Sequence, residues 1–128
     1  MDVKGLAVEV HQTAVDHGWW PETICRDEDC PGHTGLEHIH QRNVGETLML
    51  VVTEVADLYT RYKDGTGGIP EIWWDDNGKP QGCPIEAADV IIRMLDLAEG
   101  FGIDIIQALA LKVDYNQTRP YRHGNRRA

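Results

Sequence analysis

The stretch PIEAADVIIRMLDLA, residues 84–98, is apolar around most of a helix's circumference. One stripe interrupts it: Glu86, Asp89, Arg93 and Asp96 recur at the three- and four-residue spacing of a single helix face. Ala88, Ile91, Ile92, Leu95 and Ala98 form the adjoining apolar stripe. Such a helix belongs at the centre of a bundle or is buried by a partner subunit. A second stretch, TLMLVVTEVADLY at 47–59, repeats the arrangement. Val55 centres its expected core face, with Val44, Leu48, Val51, Leu58, Tyr59 and Tyr62 near it, while Leu50, Glu54, Asp57 and Arg61 line the flank.

Both stretches carry E-x-x-D, as Glu54 with Asp57 and Glu86 with Asp89, and three-residue spacing turns each pair toward one side. Packing the two helices together gathers four carboxylates in a partly desolvated place. Two like charges ~4 Å apart repel by about 4 kcal/mol at an effective dielectric near 20. Arg61 and Arg93 supply part of the compensating charge, and a divalent cation would supply it better. Oxygen-only ligands suit magnesium, with manganese as the variant. Glu54, Asp57, Glu86 and Asp89 are therefore the candidate metal ligands. The alternative is a pair of solvated faces whose acids meet Arg61 and Arg93 at i,i+4. Two matching pairs on apolar helices favour the metal.

The remaining pattern is helical, with no convincing strand. Val3, Leu6, Ala7, Val10 and Ala14 predict a first amphipathic helix that Gly18 ends. The acidic helices are expected over about Asn43 to Lys63 and Pro84 to Glu99, with Pro84 in the first turn and Gly100 at the stop. Asp104 caps a fourth helix over about Ile105 to Asn116, and Pro120 closes it. These elements predict an all-α fold, a four-helix bundle completed by homo-oligomerisation as a dimer or tetramer. The connection 64–83 is rich in Gly, Pro and Asp and is expected to fold over the site. Within it Asn77-Gly78 signals a two-residue hairpin turn, whereas Gly65, Gly67 and Gly68 read only as flexible loop.

With 128 residues the chain makes one domain, 1–128. Its formal charge of −9 argues against a nucleic-acid or anionic-membrane surface, although small anions remain compatible if metal carries the charge. No apolar run spans a bilayer and the N-terminus lacks a signal-peptide pattern, so the expected location is the cytoplasm. Three cysteines suit a reducing compartment. The segment 22–41 is a Cys/His-rich insertion. Cys25, Cys30, His33 and His38 are its candidate zinc ligands, with His40 close by, but the spacing fits no standard zinc module and favours a polar loop with reduced thiols.

Positive charge gathers at the end of the fourth helix. Lys112 and Asn116 stand one turn apart and Arg119 continues the line, a set of donors fit for a polyphosphate; Arg93 joins them as a further candidate for substrate binding. Arg126 and Arg127 read as a basic terminus complementing the helix dipole.

The order E-x-x-E/D, a Gly-rich loop, G-x-P-x-E-x-A-D-x-x-I-R-x-L-D-L-A, G-I-D and K-x-x-x-N-x-x-R-P-Y-x-H-G, over about Asn43 to Arg127, resembles the MazG-like nucleoside triphosphate pyrophosphohydrolases of the all-α NTP pyrophosphatase superfamily. The resemblance implies magnesium held by Glu54, Asp57, Glu86 and Asp89, phosphate contacts from Lys112, Asn116 and Arg119, and hydrolysis between the α and β phosphates to a monophosphate and pyrophosphate. Asp57 stands where that family usually has Glu, and its pattern leaves the Cys/His insertion unexplained. In such chemistry a carboxylate not fully engaged by metal takes the proton from water, a role open to Glu54 or Asp57. Trp19, Trp20, Trp73, Trp74 and Tyr59 are available to stack on a base. Three rivals stand beside this reading: a di-iron carboxylate enzyme, disfavoured because neither acidic helix carries E-x-x-H; a noncatalytic nucleotide and metal sensor; and a helical interaction protein.

Overall fold

The computed structural model describes residues 2–20, 24–25, 29, 38–39, 42–65 and 68–120. Four helices dominate: α1 over Val3–Asp16, α2 over Val44–Asp64, α3 over Cys83–Gly100 and α4 over Ile105–Thr118. The caps follow the sequence. Asn43 accepts from the Glu46 N–H at the start of α2, and Asp104 accepts from the Gln107 N–H at the start of α4. Pro84 occupies the first turn of α3. Gly65 is the left-handed C-cap of α2 at φ 64°, a defined terminus where flexible loop was expected. Helix α3 runs through Gly100 instead of stopping before it, and the reversal into α4 falls to Gly102 at φ 73°.

As its composition predicts, α3 is the central helix. Among the described residues it meets α1, α2 and α4, while α2 meets neither α1 nor α4. Leu95, Leu97 and Ala98 are buried on it, and Ala7 of α1 is fully buried. Trp20, just beyond α1, lies so close to Gly100 that a Cβ there would collide with its indole ring. The same ring meets Phe101 edge-on at 5.1 Å between centroids.

The orientation of α2 differs from expectation. Its buried edge comprises Thr47, Leu50, Val51, Glu54, Leu58 and Arg61. The acidic stripe therefore faces α3, and most of the presumed core face looks out: Val55 is 48% exposed and Tyr59 61%, with Val44, Leu48 and Tyr62 also exposed. On α3, Ile91 and Ile92 are likewise exposed, and α4 buries no residue. Periodicity identifies residues that share a face, but the neighbour that covers the face is a tertiary choice.

The connection between α2 and α3 is short of strand but not structureless. β3 (Trp73–Trp74) and β4 (Pro80–Gln81) pair antiparallel, Trp73 with Gln81 and Trp74 with Pro80. The turn is longer than the two residues expected. The Asp75 N–H donates to the Lys79 carbonyl, so three residues make the reversal, and Gly78 takes φ 77° within it. In the Cys/His-rich insertion, β1 (Ile24–Cys25) pairs antiparallel with β2 (His38–Ile39), a register that sets Cys25 opposite His38 along the backbone. Cys30, His33 and His40 lie outside the described residues. No described helix is long and apolar enough to cross a membrane.

Candidate metal centre and adjoining cleft

Because the acidic stripe of α2 faces α3, the two E-x-x-D motifs meet. Carboxylate oxygens of Glu54, Asp57 and Glu86 lie within 4.8 Å of one another. Asp89 stands beside this trio and feels it. Burial first, then the charges of Glu54 and Glu86, raise its carboxyl above the ordinary aspartate range, against the pull of Arg93 and Lys79.

The arginines do not make the i,i+4 pairs that a solvated face would show. Arg93 donates from Nε to Glu54 Oε1 at 2.7 Å, and Arg61 reaches Glu86 Oε1 at 3.4 Å, both across the α2–α3 interface. Two guanidiniums against four carboxylates leave Asp57 and Asp89 without an ion-pair partner among the described residues. The hairpin joins this arrangement. Arg61 also donates to Gln81 Oε1 at 2.9 Å, Gln81 donates from Nε2 to Asp75 Oδ2, and the guanidinium lies 5.7 Å from the Trp73 ring centroid. Asp75 also accepts from the Lys79 and Asn77 backbone N–H groups; the Lys79 bond is the largest influence holding its carboxyl below the usual range. The connection thus packs onto the Arg61 end of the acidic site.

Since α1 and α2 both rest on α3 without meeting, a cleft opens between them. It has a volume of about 350 Å³ and is bordered by Glu54 and Asp89 at one side and by Trp19, His17 and Arg42 at another, with Ile92 and Asp96 of α3 also lining it. Asp96 organises one wall: its Oδ1 accepts from Trp20 Nε1 and lies 2.8 Å from His11 Nδ1, and its Oδ2 is 3.5 Å from Arg42 Nη1. Arg42 lies 4.8 Å from the Trp20 ring centroid and 6.0 Å from that of Trp19. Sequence reasoning missed Arg42, His17 and the role of Asp96. The available signals were a Trp pair ending α1 and a fourth member in the α3 acidic stripe.

Lys112, Asn116 and Arg119 are not among the residues lining this cleft. Lys112 and Arg119 instead flank Tyr115, at 5.2 and 5.5 Å from its ring centroid, with Asn116 beside it in sequence. Arg93 lies within the acidic site and borders the cleft. The chain matches no protein-family model, no curated protein and no solved structure.

Proposed function

We propose that the protein is a cytoplasmic, magnesium-dependent nucleoside triphosphate pyrophosphohydrolase, cleaving ribo- or deoxyribonucleotides between the α and β phosphates. The observation that carries the reading is the convergence of Glu54, Asp57 and Glu86 from two E-x-x-D motifs beside a cleft of ligand size. Three neighbouring carboxylates, a fourth at its flank and an excess of negative charge suit a hard divalent cation. When bound, magnesium supplies charge screening for the phosphates and lowers the pKa of an attacking water.

In this reading Glu86 and Asp89 hold the cation, and Glu54 or Asp57 also accepts the proton of the attacking water. Arg93 and Arg61 neutralise Glu54 and Glu86 while no substrate is present. Lys112, Asn116 and Arg119 grip the triphosphate. Since they lie on α4, away from the cleft of their own chain, assembly is part of the proposal: the outward apolar faces of α2 and α4 are buried between copies of the chain. Incubation with ribo- and deoxynucleoside triphosphates, with and without magnesium, tests the activity. Monophosphate plus pyrophosphate is expected. Diphosphate plus orthophosphate would place the cleavage elsewhere, and nucleotide binding without turnover would favour a sensor.

A further inference from the structure

The cleft on α3 has features that a metal and triphosphate site does not require. Trp19 lines it and is 55% exposed, although the neighbouring Trp20 is packed into the core. A large ring left open on a cleft wall is a stacking platform. The Arg42 side chain is only 12% exposed, yet its one hydrogen bond among the described residues is the 3.5 Å approach to Asp96. A guanidinium carries five N–H donors, so a buried one with a single long contact retains donors for a ligand. His17 complements it. Its Nδ1 lies 2.7 Å from the Thr13 carbonyl, which has no proton to give, so Nδ1 donates and Nε2 is left as an acceptor in the neutral ring. The Thr13 hydroxyl is already spent on the Glu9 carbonyl.

We infer that this cleft is a subsite for a nucleobase bearing an exocyclic oxygen, stacked on Trp19, with that oxygen accepting from Arg42. Guanine, uracil, thymine and cytosine present such an oxygen; adenine presents an amino group, a donor that would face the Arg42 donors and leave them unpaired. The placement suits a nucleotide, because the cleft is bordered at its other side by Glu54 and Asp89, where the phosphates would meet the metal. This inference rests on the nucleotide reading above and adds to it the recognition of the base.

Phosphate-free nucleosides separate the two. Titration of guanosine, uridine, cytidine and adenosine into the metal-free protein, followed by tryptophan fluorescence and the indole N–H resonances, is expected to show the three oxo-nucleosides binding about tenfold or more tightly than adenosine. Trp19→Ala, at an exposed position, should weaken all of them about tenfold. Arg42→Lys keeps the charge but removes the planar fork, and should abolish the preference over adenosine while leaving weaker binding. Equal binding of adenosine, or oxo-nucleoside affinity unchanged in Trp19→Ala, overturns the subsite. Should Arg42→Lys prove unfolded by circular dichroism, Trp19→Ala and the adenosine comparison decide alone. Selective nucleoside binding without turnover of any triphosphate sustains the subsite and removes the pyrophosphohydrolase. Turnover of adenosine and oxo-base triphosphates at equal kcat/KM, unaffected by Trp19→Ala, does the reverse.

Discussion

Arg93 donates to Glu54 on the neighbouring helix at 2.7 Å and leaves Asp89, one turn away on its own helix, without an ion pair. The reciprocal contact, Arg61 to Glu86 at 3.4 Å, lies seven residues along α2 and seven back along α3. Each helix thus contributes the same E-x-x-D-x-x-x-R segment, and antiparallel packing exchanges the arginines. Pairing across the interface fastens α2 to α3 while keeping the aspartates open to a ligand.

The Arg93–Glu54 contact should be measurable as coupling between the helices. Both side chains are largely shielded, so Arg93→Ala is expected to cost about 1–3 kcal/mol by stranding the Glu54 charge. Adding Glu54→Gln should recover part of that loss, since the stranded charge is then gone. Urea unfolding of the two single variants and the double variant gives the coupling. Strictly additive losses would mean that the contact contributes nothing to holding α2 on α3.

For the metal, Glu86→Gln and Asp89→Asn are each expected to reduce magnesium-dependent turnover by more than roughly a hundredfold, because charge stabilisation by a metal is worth several kcal/mol. Neither should unfold the protein, as removing one carboxylate relieves repulsion in the metal-free site. Product chromatography paired with circular dichroism checks both halves. Near-normal turnover in both variants would move the metal elsewhere.

Asp89 also predicts a pH dependence. Its folded pKa is raised, so between the ordinary aspartate value of about 3.9 and the raised one the folded chain holds a proton that the unfolded chain has released. Stability contributed by this group is therefore present at low pH and lost as the pH rises through the folded pKa. Thermal melts of wild type and Asp89→Asn in chelator, from about pH 4 to pH 7, should show the variant gaining on wild type as pH rises and then levelling. A constant difference, or one that shrinks with pH, would contradict the raised pKa.

The centrality of α3 and both acidic stripes were legible because three-residue spacing on an apolar helix leaves little freedom in which side chains share a face. The caps Asn43 and Asp104 were legible for a similar reason: the donors they satisfy lie three residues away. The rotation of α2 was not legible. Val55 and Tyr59 have the pattern of a buried face, and sequence cannot say whether their own chain or another buries them. The cleft was hidden for a different reason, since its wall depends on Trp20 reaching Asp96 across 76 positions. No local period records such a contact.

The outward face of α2 predicts assembly. A Val or Leu side chain is worth about 1.5–3 kcal/mol when buried, and Leu48, Val55, Tyr59 and Tyr62 share this face with no cover in the single chain. A further cavity of about 340 Å³, lined by Val55, Tyr59 and Tyr62 together with Leu58, Ile69 and Cys83, lies against it. Light scattering is expected to give a dimer or tetramer, and Leu48→Lys with Val55→Lys a folded monomer. A monomeric wild type would remove the assembly from the proposed function.

The α4 cations separate substrate grip from metal binding. Lys and Arg have no lone pair to offer a cation, and Lys112 and Arg119 flank Tyr115 on a helix that does not meet α2. Lys112→Ala and Arg119→Ala should therefore weaken binding of a non-hydrolysable triphosphate and slow turnover, each by about tenfold or more for a lost charge-assisted phosphate contact. Magnesium affinity of the free protein should stay nearly unchanged. If the site is completed between copies, mixing Lys112→Ala with Glu86→Gln chains should restore turnover at those sites that combine an intact acidic half with an intact α4. Calorimetry of each variant with magnesium and with the triphosphate analogue measures the first effect, and turnover of the mixed chains measures the second. A loss of metal affinity without loss of nucleotide affinity would reverse the roles assigned to the two halves. A mixture no more active than its components would place the phosphate grip within one chain or away from α4.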